Sequence, residues 1–594
     1  MPQYYDHFVI PFWIGTVFLF AVILWKWGSW LFRLPGEDKR SILRGFFSVA
    51  TLKALWEVFM ESLVHRRIWK VNPLLGFMHM SLAFGWLLLI AVGWVEAYYV
   101  LGGVPLHAHV FFRFFDDTVH SGFNVFALVM DLLLLIVLTG VGLAWFKRAR
   151  SRALGMKKTT RHVAIDRVAL AALWCIFPLR LLAESFTAAV QHNGSFLTGG
   201  IGNLIASSLS VPAIDDIGYI IWWAYSFALG VFFVAMPFSR YMHIFTEIPL
   251  IFLRQYKLRS GEEEKSFDNF QIHSCSRCGI CIDPCQLQKD LGYNDVQSVY
   301  YLRDKRYGRM TDEVLDNCLM CGACEDKCPV GIELNTLRLN GREKRMNMPA
   351  DTRYGYLKGL DRSEGRGKTG YFAGCMTLLT PAVTASMEKI FSAAGEEIWW
   401  ADRDGGVCCG RPLKLSGEIN AARKIMGYNQ DLFKWHNITT LITSCPICLK
   451  VFREDYELEG IRVLHHTEYI LELVEAGRVK LEGGANVFTY HDPCELGRGS
   501  GIYDQPREIL RLSGDLREPE HHRADALCCG SSLANTAVDD GQQERIGAAM
   551  TLELERTGAD TIVTSCPLCK KAISRNTGIR VADIAQVVVD NMCR

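Results

Sequence analysis

The chain has 594 residues, enough for about four domains at roughly 150 residues each, and its 64 Lys+Arg against 63 Asp+Glu leave a net charge of +1. That balance excludes a strongly basic nucleic-acid binder and a highly charged disordered chain. A mean hydropathy of +0.12 alongside 21% charged residues requires a mixture, one very apolar region and one of ordinary soluble composition.

The apolar residues come first. A membrane-spanning helix needs about 20 mostly apolar residues. Five stretches qualify, all before residue 255: 8–32, 74–101, 119–146, 166–190 and 217–250. Their connections alternate in charge. Segments 33–73 and 147–165 are rich in Lys and Arg, 102–118 carries only Arg113, and 191–216 carries none. By the positive-inside rule the N-terminus lies outside and everything after 250 is cytoplasmic, in a multi-pass protein of the inner membrane. The first stretch has no basic n-region and no small-residue cleavage site, so it reads as a retained span.

After Arg254 the composition is that of a soluble protein, and this part holds 19 of the 20 Cys. Clustered cysteines in a cytoplasmic domain imply metal, not disulfides. Cys275-x2-Cys278-x2-Cys281-x3-Cys285 is followed by Cys318-x2-Cys321-x2-Cys324-x3-Cys328-Pro329. This is the spacing of two-cluster ferredoxins, in which the fourth Cys of each run serves the other cluster. The expected ligand sets for two [4Fe–4S] cubanes are Cys275, Cys278, Cys281 and Cys328, then Cys318, Cys321, Cys324 and Cys285.

The remainder is an internal repeat. Cys375, Cys408-Cys409-Gly410 and Cys445-Pro446-x-Cys448 recur as Cys494, Cys528-Cys529-Gly530 and Cys566-Pro567-x-Cys569, at offsets of 119, 120 and 121 residues. Each copy reads as short strands alternating with helices, with the Cys at strand ends and loops. Five Cys per copy exceed the four of a simple cubane or zinc site. An adjacent Cys-Cys pair can hold irons in an opened or fused cluster, so each copy is a candidate for a [4Fe–4S] cluster of non-cubane form, or for a four-Cys site with a spare thiol. These ten cysteines are the candidate catalytic residues. Cys175 and Cys593 stand apart, one in the fourth span and one at the tail.

The repeat resembles the CCG domain of heterodisulfide reductase catalytic subunits and their relatives, and the ferredoxin pair before it matches the D-type layout. The apolar part resembles the cytochrome b subunit of respiratory nitrate reductase, most clearly at MPFSRYMH (236–243). The order of parts in one chain is most similar to the membrane-bound electron-transfer-flavoprotein:menaquinone oxidoreductases. The resemblance implies a multidomain chain: an all-α transmembrane bundle of five spans over 1–258, an α-helical two-cluster ferredoxin module over 259–350, and two α/β domains related by duplication, 366–480 and 484–594. The second copy departs from the family at Glu495, where His is usual, and at Ser531 and Ser532, where a glycine-rich run is usual.

The resemblance also implies a b-type haem held by two imidazoles from neighbouring helices. His79 and His243 are the expected ligands, at similar inner depth. A second pair would fall at Leu89 and Tyr225, which are not usual ligands, so one haem is expected. His65 and His162 read as solvated residues of the basic connections, and His107, His109 and His192 as residues of the outer ones. His120 is a minor ligand or proton-relay candidate. Charged residues within spans are functional candidates. Arg180 is assigned to a haem propionate or to an i, i+4 ion pair with Glu184, and Glu184, Asp131 and Glu247 to proton handling.

The expected function is a respiratory oxidoreductase that passes electrons from a soluble donor, most naturally reduced electron-transfer flavoprotein, through the CCG clusters, the two cubanes and haem b to menaquinone. The alternative is a quinol-linked reductase of a disulfide, a heterodisulfide or a sulfur-carrier trisulfide. No GxGxxG fingerprint in a strand–turn–helix setting is found, so a flavin or nicotinamide belongs to a partner. The expected partners are membrane lipid, quinone and a soluble flavoprotein or sulfur carrier, with no nucleic acid; an oligomer is allowed.

Overall fold

A computed structural model describes residues 5–101, 125–149, 160–261, 265–346, 365–403, 407–533 and 537–593. The chain divides into two compact units, one of Met1–Gly261, Lys265–Ile280 and Lys327–Ile332, the other of Glu262–Glu264, Cys281–Asp326 and Glu333–Arg594.

The first unit contains five helices long and apolar enough to cross a membrane. They are Ile10–Phe32, Pro73–Leu101, Val125–Ala149, Ala164–Gln191 and Val211–Ala235. Most carry large apolar side chains on their outer faces as well as inside, as helices solvated by lipid do. Small residues let them approach closely. A Cβ on Gly15 would lie 2.8 Å from the Gly230 Cα, so the first and fifth helices meet backbone to backbone. Phe12 N–H donates to Ser226 Oγ across the same contact at 3.2 Å.

One expectation is corrected here, and the connection 33–73 proves helical. The stretch 217–250 is not one helix. It ends at Ala235, passes through the single turns Met236–Phe238 and Arg240–Met242, and restarts as His243–Gln255. Pro237 cannot donate the next helical hydrogen bond. Ser239 then caps the following turn through Tyr241 N–H at 3.3 Å, and the buried Asp166 carboxylate accepts from Arg240 N–H at 2.7 Å. His243 is therefore the first residue of a new helix. The connection 33–73 is not a loop but helices Gly36–Phe46, Val49–Val58 and Arg66–Val71, with a π-helical turn at Phe59–Leu63.

The second unit carries two four-stranded parallel sheets. Strands β1 (Thr369–Phe372), β2 (Ile398–Trp400), β3 (Thr440–Thr443) and β4 (Arg462–His465) lie in the order β2-β1-β3-β4. Strands β5 (Val487–His491), β6 (Asp515–Arg517), β7 (Thr561–Thr564) and β8 (Arg580–Asp583) repeat it as β6-β5-β7-β8. The central strands are apolar and buried on both faces, as parallel sheets covered by helices require. One hydrophobic cluster takes Tyr371, Ile390 and Ile442 from the first copy and Tyr490, Ile509 and Val563 from the second. The two copies thus share a core, each large apolar side chain contributing about 1.5–3 kcal/mol by burial.

The ferredoxin residues of this unit are short helices pinned by two buried arginines of helix Leu334–Met346. Arg338 donates to the carbonyls of Leu315 and Val296 at 3.2 Å each, and Arg342 to those of Asp316 and Leu415 at 2.9 Å each.

Candidate metal centres

In an open parallel sheet, sites form beyond the carboxyl ends of the strands, and the cysteines of each copy gather there. In the first copy, β1 runs into Ala373–Gly374 and then the short helix Cys375–Leu378. Gly374 has φ +87°, and a Cβ there would lie 3.0 Å from both the Cys445 Cβ and the Cys448 Sγ. Only a residue without a side chain lets this backbone close onto the cysteines. Buried Asp402 accepts from Ala373 N–H at 2.8 Å, Gly374 N–H at 2.7 Å and Trp400 Nε1 at 3.1 Å, which fixes the turn. Cys445 follows β3, and Cys448 lies one turn into helix Pro446–Glu454. Asn429 and Tyr456 hold the Cys408-Cys409 carbonyls at 2.9 and 3.0 Å. Cys409, Cys445 and Cys448 are buried, Cys408 half-buried and Cys375 exposed. Partial burial pushes the Cys375 thiol up to about 12, and the neighbouring Cys445 and Cys409 add to that.

The second copy repeats the plan. β5 leads to Cys494, β7 to Cys566, and Cys569 lies in helix Pro567–Ser574. Cys528, Cys529, Cys566 and Cys569 are buried, with Cys569 and Cys529 Sγ atoms 3.4 Å apart. His491 is held between Thr564 Oγ1 at 3.3 Å and the Leu527 carbonyl at 3.2 Å. Here the turn is locked by a buried arginine, Arg507, whose two Nη atoms reach Asp492 at 2.7 Å each. Cys494, Cys528, Cys529, Cys566 and Cys569 line a shallow recess together with Leu415, Pro446 and Ile447 of the first copy. Each copy thus gathers five cysteines at the strand ends, the soft sulfur donor set that iron–sulfur clusters take once deprotonated, so both copies fit a cluster.

The copies are stitched together. Arg411, which follows the first Cys-Cys-Gly, lies 3.5 Å from Glu495, which follows Cys494, and Lys450 approaches the same carboxylate at 4.0 Å. Cys445 and Cys566 belong to one buried cluster shared by the two copies.

Of the ferredoxin cysteines, the second unit brings together Cys285, Cys318, Cys321 and Cys324. Burial pushes Cys285 up to about 12, with Cys321 and Cys318 adding to it. Cys321 is drawn down to about 6 by its contact with Cys528 and by the Arg498 guanidinium. Gln286 clamps the Cys528 backbone from both sides, at 2.6 Å to N–H and 3.1 Å to the carbonyl, and Arg498 Nε donates to the Cys321 carbonyl at 2.7 Å. The ferredoxin loop and the second copy therefore meet through fixed contacts. In the first unit, Cys328 lies with Cys278 and Cys275, and burial pushes its thiol up to about 12. Cys281 lies in the turn Ile280–Ile282 and is half-buried.

Among the histidines, His79 Nε2 is buried with no hydrogen-bond partner among the described residues, an opening a metal would fill. His79 senses His65, Lys147, Arg240 and His243. His243 Nδ1 is 2.8 Å from the Arg240 carbonyl, which points its other nitrogen away as ligating histidines require. These groups fit a haem. His65 was expected to be solvated, yet it takes φ 59° and stacks on His79 with ring centroids 5.6 Å apart. Arg180 is paired with Glu184 at 2.9 Å and interacts with Tyr225. Asp131 caps helix Thr198–Ser208, accepting from Leu197 N–H, Thr198 N–H and Thr198 Oγ1 at 2.9, 3.0 and 2.7 Å. His107, His109 and His120 lie outside the described residues. Sequence reasoning passed over Asp402, Gln286, Arg411 and Arg498, whose roles come from contacts distant in the chain; Glu495 had stood out, with Ser531 and Ser532, as a departure from its family.

Comparison with known proteins agrees with this chemistry. The family described as Cysteine-rich domain (CCG) matches residues 369–453 and 488–574, and the 4Fe-4S dicluster domain matches 271–332. The chain is an iron–sulfur membrane oxidoreductase, with [4Fe–4S] chemistry in both kinds of domain. Over 90% of its length it is 23% identical to the EtfAB:quinone oxidoreductase of Syntrophomonas wolfei subsp. wolfei, covering 90% of that protein. Over 54% of its length it is 24% identical to one subunit of the dihydromethanophenazine:CoB–CoM heterodisulfide reductase of Methanosarcina barkeri, covering 77% of it. It is also 24% identical, over 51% of its length, to one subunit of the fumarate reductase (CoM/CoB) of Methanothermobacter marburgensis, covering 68% of that chain.

Proposed function

We propose that this protein carries electrons from reduced electron-transfer flavoprotein, through the CCG clusters, two ferredoxin cubanes and one haem b, to menaquinone. The observation that carries the reading is the chain of contacts between the cysteine loops: Arg411, after Cys409, meets Glu495, after Cys494, at 3.5 Å, and Gln286, after Cys285, holds the Cys528 backbone at 2.6 and 3.1 Å, which links both copies to the ferredoxin loop. Similarity to an EtfAB:quinone oxidoreductase along both the apolar helices and the cysteine-rich part adds to it. The ligand sets are those the spacing suggests: Cys275, Cys278, Cys281 and Cys328 for one cubane, Cys318, Cys321, Cys324 and Cys285 for the other, and five cysteines for each copy. Clusters and haem, when bound, supply one-electron steps. The chain's own residues fix them and keep water out.

On this reading His79 and His243 would hold the haem iron, and Lys147 and Arg240, whose charges reach His79, would hold its propionates in place of Arg180, which is paired with Glu184. Menaquinone binds near the haem end of the bundle. Asp131 is committed to capping and Glu184 to its ion pair with Arg180, which leaves the buried Glu247 for proton handling. The N-terminus lies outside and the iron–sulfur domains are cytoplasmic.

The second reading is a quinol-linked disulfide reductase. Similarity to a component of a heterodisulfide reductase favours it. Mixing the purified protein with reduced electron-transfer flavoprotein, and following the haem band and menaquinone reduction, separates the two. Haem reduction by the flavoprotein is expected. An inert flavoprotein, together with haem oxidation by a disulfide, would overturn the first reading. His79→Ala and His243→Ala should each abolish the haem spectrum while the cytoplasmic clusters still assemble.

A further inference from the structure

Helix Val49–Val58 and the π turn after it present the wrong face to the outside for a helix in water. The side turned to the protein is polar or small. Ala54 is buried, Thr51 Oγ1 lies 2.9 Å from Tyr256 Oη, and Glu57 pairs with Arg67 at 3.1 Å and Arg254 at 3.0 Å. At 3.6 residues per turn, Val49, Leu52, Leu55, Trp56 and Phe59 fall on the opposite side, within an arc of about 120°. The preceding helix, Gly36–Phe46, and its end add Leu43, Phe46 and Phe47. All eight are between 40% and 80% exposed. A helix on a water-facing surface shows the reverse, with charges outward and the apolar stripe against the core, and so large an exposed apolar strip marks an interaction surface.

We propose that residues 36–63 form an interfacial hairpin lying in the headgroup layer of the bilayer that the five long helices cross, its apolar face in the acyl chains. Residues 49–63 span about 22 Å at 1.5 Å per residue and are fewer than the roughly 20 needed to cross, so the segment lies along the surface. The occupant is lipid because the strip continues an apolar surface already facing lipid. Trp25 and Phe32 on the first span and Leu74 at the start of the second are exposed beside it in sequence. Lys39, Arg40, Arg44 and Lys53 border the strip in exposed positions, the charge that anionic headgroups attract.

The hairpin has a functional consequence. Its π turn buries Glu61 and leads directly into His65, stacked on His79. The headgroup plane therefore lies at the depth of His79, and a lipid-dissolved quinone reaches the bundle beside Trp56 and Phe59, where Phe59 meets Phe84 edge-on. This last step rests on the quinone reading above; the hairpin's seat in lipid does not.

The test places the photocrosslinker p-benzoylphenylalanine at Phe47 or at Leu52 in the full chain, reconstituted in phosphatidylcholine–phosphatidylglycerol nanodiscs. After illumination, mass spectrometry should find lipid adducts at both positions and none at Trp435, an exposed aromatic of the second unit. Adducts joining two copies of the chain, or adduct yields no higher than at Trp435, would overturn the proposal. A variant that fails to assemble shows itself in the haem spectrum, and the other position then decides. Loss of quinone reactivity in Trp56→Glu with the lipid adduct at Phe47 retained tests the quinone step alone.

Discussion

The two CCG copies have the same sheet order, the same five cysteines and one shared core, yet they differ in what stands beside the metal. In the first copy Arg411 follows the Cys-Cys-Gly and Met376 follows the leading Cys; in the second those positions are Ser531 and Glu495. The first exposes Cys375, whereas the second buries four of its cysteines and packs Cys528 in one cluster with the ferredoxin cysteines Cys285 and Cys321. Duplication kept the scaffold that positions the thiols, while the charges and contacts around them diverged. The copies therefore read as two stations with different tasks: the second joins the ferredoxin, and the first meets solvent.

The largest effect should come from separating the stations. Cys529→Ala should remove about four of roughly 16 non-haem irons and slow flavoprotein-driven haem reduction by at least about 100-fold, because the second copy adjoins Cys321. Cys409→Ala should remove a similar amount of iron and leave the ferredoxin signals intact. Anaerobic iron analysis with EPR reads both. A preparation holding only about eight irons before any substitution would sink the cluster assignment for both copies.

The turns that carry the leading cysteines are braced differently, and this gives the next two expectations. Arg507→Met strands the buried Asp492 carboxylate and frees Glu518 at the surface, and should cost about 3–5 kcal/mol, read as lost thermal stability. The first copy relies on Asp402, which burial raises from 3.8 to about 6 despite its three hydrogen bonds. A carboxyl raised on folding favours the native state while protonated. Wild-type stability should therefore fall as pH rises from about 3.8 to about 6, by up to about 3 kcal/mol, and level off above. Thermal unfolding of Asp402→Asn across that window should lack this slope; an unchanged slope would assign it to other groups.

Much of this was legible in the sequence, for physical reasons that also mark where reading stops. Apolar runs report helices that lipid can solvate, and cysteine spacing reports loops around metal, because both are local. The pairing of Arg180 with Glu184 was equally local, four residues apart on one helix. The break at Pro237 was hidden because the residues on both sides are apolar and a span is judged by its average. His65 stands among arginines and reads as solvated; only its left-handed turn places it on His79. Asp131 looked like a proton carrier because its partners, Leu197 and Thr198, lie more than sixty residues away. The two braces and the link between copies join positions that no period or spacing connects.

That link gives the smallest expected effect and the most specific one. Glu495 belongs to the second copy, but its carboxylate lies against Arg411, whose backbone N–H and guanidinium both face Cys409 of the first. Removing the carboxylate leaves the arginine's charge compensated only by the more distant Asp455 and Glu454, which favours the added electron at the first site. Glu495→Gln should therefore raise the midpoint of the signal that Cys409→Ala deletes, and Arg411→Gln should lower it. Each change should amount to about a tenfold redistribution of the electron, near 59 mV for a one-electron couple. Arg498 keeps its own charge beside Cys494 and Cys528 in both variants, so the second site should respond to Arg411→Gln less than the first. EPR-monitored redox titration reads the two sites separately. If Glu495→Gln moves only the signal that Cys529→Ala deletes, the carboxylate acts within its own copy, and the two stations are set independently.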